Sequence, residues 1–218
     1  SDACCGAIAH HLGQETAALK QVRANIAGWS ARAEHWQAII VNASGCGTML
    51  KDYAYLLRAE SDIAADAAKL APLYKDISEF LGQDGNLPPA TATPRGLKVI
   101  SQVPCSLRHG QRITDLPRQL LERIGFSVVS APADSTCCGS AGTYNLLQPE
   151  LAEKLGRNKA AILDATGGDV IASGNLGCMM QIGLYSALPR VHAVQLLDWA
   201  SGGPRPSALP AISEKIAG

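Results

Sequence analysis

The chain has 218 residues, is 47% apolar, and carries 19 basic against 19 acidic side chains. That composition excludes large-scale disorder, and the balanced charge offers no footprint for nucleic acid or an anionic membrane surface. No apolar run reaches the roughly 18–20 residues of a membrane span, and no charged-then-apolar leader opens the chain.

In chain order, Leu19, Val22, Ile26 and Trp29 recur at helical spacing and predict a helix over 14–34. Ala38, Ile39, Ile40 and Val41 read as a short buried strand that runs into a small-residue turn at 42–47. Helices are expected at 48–57 and at 63–80. Gly, Pro, Asn and Thr concentrate at 83–95, which reads as a linker. Residues 97–101 alternate as a strand and lead to Pro104 and Cys105. A helix over 115–124 puts Leu116, Leu120 and Ile124 on one face, and 127–129 is strand-like. Pro149 suits the first turn of a helix whose buried face is Leu151, Leu155 and Ile162. Strands at 170–172 and 191–194, a short helix at 195–200 and a loosely ordered tail over 202–218 complete the chain.

Strands alternating with helices indicate the α/β class with short, largely parallel sheets. In such sheets ligands gather at the carboxyl ends of the strands, where most of the cysteines fall. The expected organisation is a first half over 1–82, the linker, a second half over 96–201 and the tail.

Seven cysteines is an odd and high number for this length. Two adjacent pairs, Cys4-Cys5 and Cys137-Cys138, are each followed by glycine. Neighbouring cysteines seldom bond each other, so thiolates in a reducing compartment are favoured over structural disulfides. The pattern repeats: Cys5 to Cys46 is a step of 41 and Cys138 to Cys178 a step of 40. Each step contains a helix, a strand and a Gly-Cys turn. Cys105 lies 32 residues before Cys137, and its counterpart would fall ahead of Cys4. The first half is therefore expected to be truncated at its amino end.

The candidate metal ligands are Cys105, Cys137, Cys138 and Cys178 in the second half, and Cys4, Cys5 and Cys46 in the first. Four thiolates suit zinc or an iron–sulfur cluster equally well by ligand type. The lack of any CxxC argues against a zinc ribbon. His109, His10 and His11 follow cysteines closely but read as surface or turn residues. The 139–142 loop lacks the lysine of a phosphate cradle, and no nucleophile set stands out, so no catalytic residue is expected.

These residues resemble the cysteine-rich CCG domain family, found in heterodisulfide reductases and in iron–sulfur subunits of the glycolate oxidase (glycolate dehydrogenase) type. The resemblance is carried by residues 41–47, by Pro104-Cys105 with His109, Gly110 and Gln111, by 137–142 with 144–150, and by 174–178. It implies an iron–sulfur cluster of 4Fe-4S type, cubane or non-cubane, on the seven cysteines. It implies an electron relay from flavin-containing dehydrogenase subunits that oxidise a 2-hydroxy acid, toward a quinone. The location implied is the cytoplasm, or the inner face of the membrane through the complex. Family members complete a CxxC at the end of each half, where this chain has Ala43 and Asn175. The alternatives are a zinc-bound or metal-free structural module and a thiol–disulfide relay.

Overall fold

A computed structural model describes residues 4–91, 96–131 and 136–209. The first half begins with α1 (Ala7–His11) and α2 (Glu15–Ser30), then β1 (Ile39–Val41), α3 (Ser44–Lys51) and α4 (Tyr53–Leu56). It ends with α5 (Ala64–Leu70), β2 (Tyr74–Asp76) and α6 (Ile77–Gly82). The second half holds β3 (Lys98–Gln102), α7 (Leu116–Arg123), β4 (Ser127–Ser130), α8 (Tyr144–Leu147) and α9 (Pro149–Asp164). After these come β5 (Val170–Ser173), α10 (Leu176–Gly183), β6 (Arg190–His192) and α11 (Ala193–Ala200).

Both sheets are wholly parallel. One pairs β1 with β2, Ile39 opposite Tyr74. The other runs β4-β3-β5-β6, with Ile100 opposite Ile171 on the central pair. All four residues of β5 are buried. A strand covered on both faces has no use for alternation, which is why Val170, Ile171 and Ala172 stand as one apolar run.

The two halves repeat the same path. β1, α3, β2 and α6 come in the same order as β5, α10, β6 and α11, with α4 and α5 inserted before β2 in the first half. Asp76 caps α6 by accepting from Ser78 N–H, while Glu79 reaches back to the Asp76 N–H. His192 caps α11 the same way with Val194 and Gln195. Such boxes satisfy two of the amides that a helix start leaves without partners.

The structure corrects several expectations. The buried face of α9 is Ala152, Gly156, Ala160 and Leu163, one position on from the expected Leu151, Leu155 and Ile162, and Leu151 is exposed. β1 is only partly buried, with Ile40 exposed. The helix expected over 63–80 is broken, because Pro72 cannot continue it. Tyr74 then turns into the sheet, buried against Trp29 and Tyr53 edge-on. The expected turns at 42–47 and 174–178 are mostly helix: Cys46 and Cys178 each stand third in α3 and α10. Asn42 with Ala43, and Gly174 with Asn175, keep the loop role between strand and helix.

The halves meet where strands give way to helices. Ser44 N–H donates to the Gly174 carbonyl at 3.1 Å, and the Ser44 and Ser106 hydroxyls lie 2.7 Å apart. Gln111 donates its amide to the Ser44 carbonyl at 2.9 Å, and Thr48 donates to the Ser106 carbonyl at 3.1 Å. The single π-helical turn Ser106–Gly110 thus seats on α3. The corresponding face of α10 carries Leu176 and Met180, 63% and 67% exposed. Leu209, from the stretch after α11, packs into the second core, and Thr91 N–H donates to the Ala200 carbonyl at 2.8 Å. Residues 210–218 of the expected tail lie outside the described residues.

His192 closes the seam from the other side, its Nε2–H donating to the Asn42 carbonyl at 2.6 Å while Nδ1 accepts from Val194. Burial lowers its pKa below 6.5, against the opposing pull of the Asn42 carbonyl and of Asp76. The unfolded chain takes up this proton at about 6.5 and the folded chain resists it, so protonation favours unfolding. Lowering the pH from 7.5 to 5.5 should therefore reduce stability to denaturant. His192→Gln should flatten that part of the pH profile in paired urea titrations.

Candidate metal centres

Each cysteine pair turns at its glycine. Gly6 and Gly139 both have left-handed backbones, with φ of 83° and 88°. Each also lies against a carbonyl of the second helix after it, α2 for Gly6 and α9 for Gly139. A Cβ at Gly6 would sit 3.2 Å from the Ala18 oxygen, and one at Gly139 would sit 2.5 Å from the Ala152 oxygen. Only glycine tolerates both conditions, which accounts for the Cys-Cys-Gly order in both halves.

The second set comes together. Cys105, Cys137, Cys138 and Cys178 line one small cavity, with Arg108 and Lys159. Cys105 follows β3, Cys137 and Cys138 precede α8, and Cys178 lies in the first turn of α10. Cys138 and Cys178 are buried, while Cys105 is exposed at the rim. The Cys138 thiol donates to the Cys178 sulfur at 3.3 Å. Gly139 N–H donates to the Cys137 sulfur, and the Asn175 amide to the Cys178 sulfur, each at 3.4 Å.

Asn175, where a further cysteine was expected, is thus the cap of α10 and a donor to sulfur. The hydrogen bond from Cys105 draws the Cys137 pKa far down, with help from Cys138 and Gly139 N–H. Bonds to neighbouring sulfurs, together with burial, push Cys105 and Cys138 up. Cys178 is lowered by its bonds from Cys138 and Asn175.

The first set is looser. Cys4, Cys5 and Cys46 line a cavity of 680 Å³ beside Asn25, Trp29 and Trp36. The Cys5–Cys46 hydrogen bond holds Cys46 down at about 7 and, with burial, raises Cys5. Buried Asn25 donates to the Cys4 carbonyl at 3.1 Å and to the Tyr53 hydroxyl at 3.0 Å. Tyr53 in turn donates to the Cys5 carbonyl at 2.8 Å, fixing the backbone of the pair.

Among the described residues no three His, Cys, Asp or Glu side chains stand open around a common point. The thiols close on one another instead. Zinc–sulfur bonds of about 2.3 Å at tetrahedral angles would hold sulfurs about 3.8 Å apart, wider than the 3.3 Å of Cys138 and Cys178. The second set nevertheless fits a thiolate-held metal by donor chemistry. It brings four sulfurs to one cavity, N–H donors to two of them, and cationic side chains beside them.

The three histidines singled out in the sequence are exposed. His109 lines the second cavity, and neither His10 nor His11 lines the first. Asn25, Tyr53 and Lys159 were missed as site residues. Asn25 lies in the apolar stripe of α2 with Val22, Ile26 and Trp29, and Lys159 lies in that of α9 with Ala152, Gly156 and Leu163. A polar residue interrupting an apolar stripe is the signal that marks both.

A model of the family described as "Cysteine-rich domain" matches residues 1–51 and 99–183. The chain is 33% identical to the glycolate oxidase iron-sulfur subunit of Escherichia coli (strain K12), over 90% of its own length and 48% of that protein. It is also 33% identical to a probable glycolate oxidase iron-sulfur subunit of Bacillus subtilis (strain 168), over 92% of its length and 46% of that protein. To lactate utilization protein A of Oceanobacillus iheyensis it is 25% identical, over 83% of its length and 72% of that protein. The chain thus spans about half the length of the first two relatives.

Replacing Gly139 separates strain from contact. Gly167 also has a positive φ, 70°, but no atom lies within 4 Å of its would-be Cβ. Gly167→Ala should cost about 1–2 kcal/mol from the left-handed backbone alone. Gly139→Ala should cost distinctly more, because the Ala152 carbonyl must also move. Urea unfolding of the two variants, side by side, measures the difference.

Proposed function

Because the chain belongs to the cysteine-rich (CCG) domain family, we propose that it is the electron-carrying part of an iron–sulfur subunit in a 2-hydroxy-acid dehydrogenase, with glycolate or lactate as substrate. The observation that carries this reading is the convergence of Cys105, Cys137, Cys138 and Cys178 on one cavity. The names of the relatives, glycolate oxidase iron-sulfur subunit and lactate utilization protein A, support it. Substrate oxidation belongs to flavin-containing partner subunits, and the electrons leave toward a quinone. The complex is placed in the cytoplasm or on the inner face of the membrane. Among the described residues no helix is long and apolar enough to cross a membrane.

Cys105, Cys137, Cys138 and Cys178 would hold the second centre, and Cys4, Cys5 and Cys46 would contribute to a first. A bound iron–sulfur cluster supplies one-electron transfer at a potential that its surroundings set. The chain's own residues do the rest. Gly139 N–H and the Asn175 amide donate to sulfur, which withdraws negative charge and eases reduction. Cys178, in the first turn of α10, also feels the positive end of that helix. Burial of Cys138 and Cys178 keeps water from two of the sulfurs. Cys105 stands at the exposed rim, where an electron has the shortest way to a docked partner.

Anaerobic reconstitution with iron and sulfide tests the reading. Wild type should gain visible charge-transfer absorption together with iron and acid-labile sulfide. Cys137→Ser, Cys138→Ser and Cys178→Ser should each lose most of the second centre's share. Bound zinc without sulfide, or variants with unchanged iron content, would contradict it.

A further inference from the structure

Two surfaces lie open in one half at positions that the other half has filled. β1 and β5 are equivalent, since each runs into a helix with a cysteine at its third position. β5 lies between β6 and β3, whereas among the described residues β1 is paired on one edge, by β2. Residues 38–43 line the 680 Å³ cavity without a break. Open edges are ordinarily defended by lysine, proline or another charge, and 38–43 has none of these. Ile171 N–H bonds the Pro189 carbonyl, on the β6 side. Alternation then turns Ala172 N–H toward β3, and its equivalent, Ile40 N–H, toward the open edge.

The second surface is on α10. Leu176 and Met180, with Leu184 at the helix end, are 63%, 67% and 70% exposed. Ser44 and Thr48 hold the positions of Leu176 and Met180 on α3, first and fifth in the helix, and the Ser106–Gly110 turn covers them. A single segment does both tasks for the filled positions. β3 pairs with β5, passes Pro104 and Cys105, and crosses the seam as the turn that seats on α3. The seam itself is reciprocal. His192 bonds the Asn42 carbonyl, and Ser44 bonds the carbonyl of Gly174, the equivalent of Asn42. A strand added to the free edge of β1 is therefore directed onto α10.

We propose that the free edge of β1 and the Leu176 and Met180 face of α10 form one docking surface for a strand-and-turn segment ahead of Cys4 in the same polypeptide. The segment is the equivalent of residues 98–110 and runs parallel to β1. The cysteine steps place that equivalent ahead of Cys4, and the first two relatives are about twice as long as the stretch matched. Main-chain bonds to β1 would supply affinity and the turn would supply selectivity. That turn is apolar where Ser106–Gly110 is polar, because Leu176 and Met180 replace Ser44 and Thr48. The inference goes beyond the electron-carrying reading and depends on no metal.

Three measurements compare the 218-residue chain with the polypeptide at its natural length. In the 218-residue chain, Ile40 N–H should exchange about a hundredfold or more faster than Ala172 N–H, and at natural length it should slow to within about tenfold of it. Leu176→Ser combined with Met180→Thr places the α3 residues on α10. That double variant should leave the urea midpoint of the shorter chain unchanged and lower that of the natural polypeptide. Benzoylphenylalanine at position 180 should cross-link on irradiation to a segment ahead of Cys4 in the same molecule. An Ile40 rate that is unchanged at natural length would overturn the proposal, as would a natural polypeptide too short ahead of Cys4 for a strand and a turn. A cross-link to a second copy, or to another protein, would overturn it by assigning the α10 face to an interface between molecules. None of these outcomes bears on the electron-carrying reading, which stands or falls on iron and sulfide.

Discussion

A parallel strand that runs directly into a helix, with a cysteine in the helix's first turn, is the constraint on which both halves are built. β1 enters α3 and β5 enters α10 across two residues each, and Cys46 and Cys178 stand third in their helices. The helix start supplies amide N–H groups and a positive dipole end to sulfur. The strand fixes where that end points, because its backbone is held by a neighbour in the sheet. The thiol is thus positioned by main-chain geometry rather than by its own rotamer alone.

The second element of each site, the cysteine pair, solves a different problem. Two consecutive sulfurs can face one centre only if the chain reverses at once. Gly6 and Gly139 make that reversal with left-handed backbones while pressed against α2 and α9. The close approach to Ala152 also brings the pair beside the face of α9 that carries Lys159. Gln181 ties the same region together, donating to the Ala152 carbonyl at 3.1 Å and accepting from Asn145 at 3.4 Å. One buried amide thereby links α8, α9 and α10 around the second set.

The two halves are alike in path and unlike in chemistry. The first site is braced by neutral groups, Asn25 and Tyr53, that hold backbone carbonyls. The second is braced by donors to sulfur and lies beside cations. The seam between the halves is unequal as well. α3 offers Ser44 and Thr48 to the Ser106–Gly110 turn, whereas α10 offers Leu176 and Met180 to solvent. A repeat conserves its fold because strand, helix and glycine are required for the turn itself. The residues that face a neighbour are free to differ.

The sequence by itself determined the α/β class, the parallel strands and the repeat, because each leaves a local trace. An apolar run such as 170–172, bounded by Gly, suits a strand covered on both faces, and the steps of 41 and 40 between cysteines measure one supersecondary unit twice. It also marked the cysteines that line the two cavities, since paired thiols followed by glycine have few other uses. Only the tertiary structure decided the short β2, where three residues were too few to interrupt a helical pattern and Pro72 alone hinted at the break. It also decided the helical placement of Cys46 and Cys178, because small residues suit a turn and a first helical turn equally. Lys159 was invisible for a further reason. A lysine reads as surface wherever it stands, and only the packing of α9 puts this one inside, on the face that carries Ala152, Gly156 and Leu163.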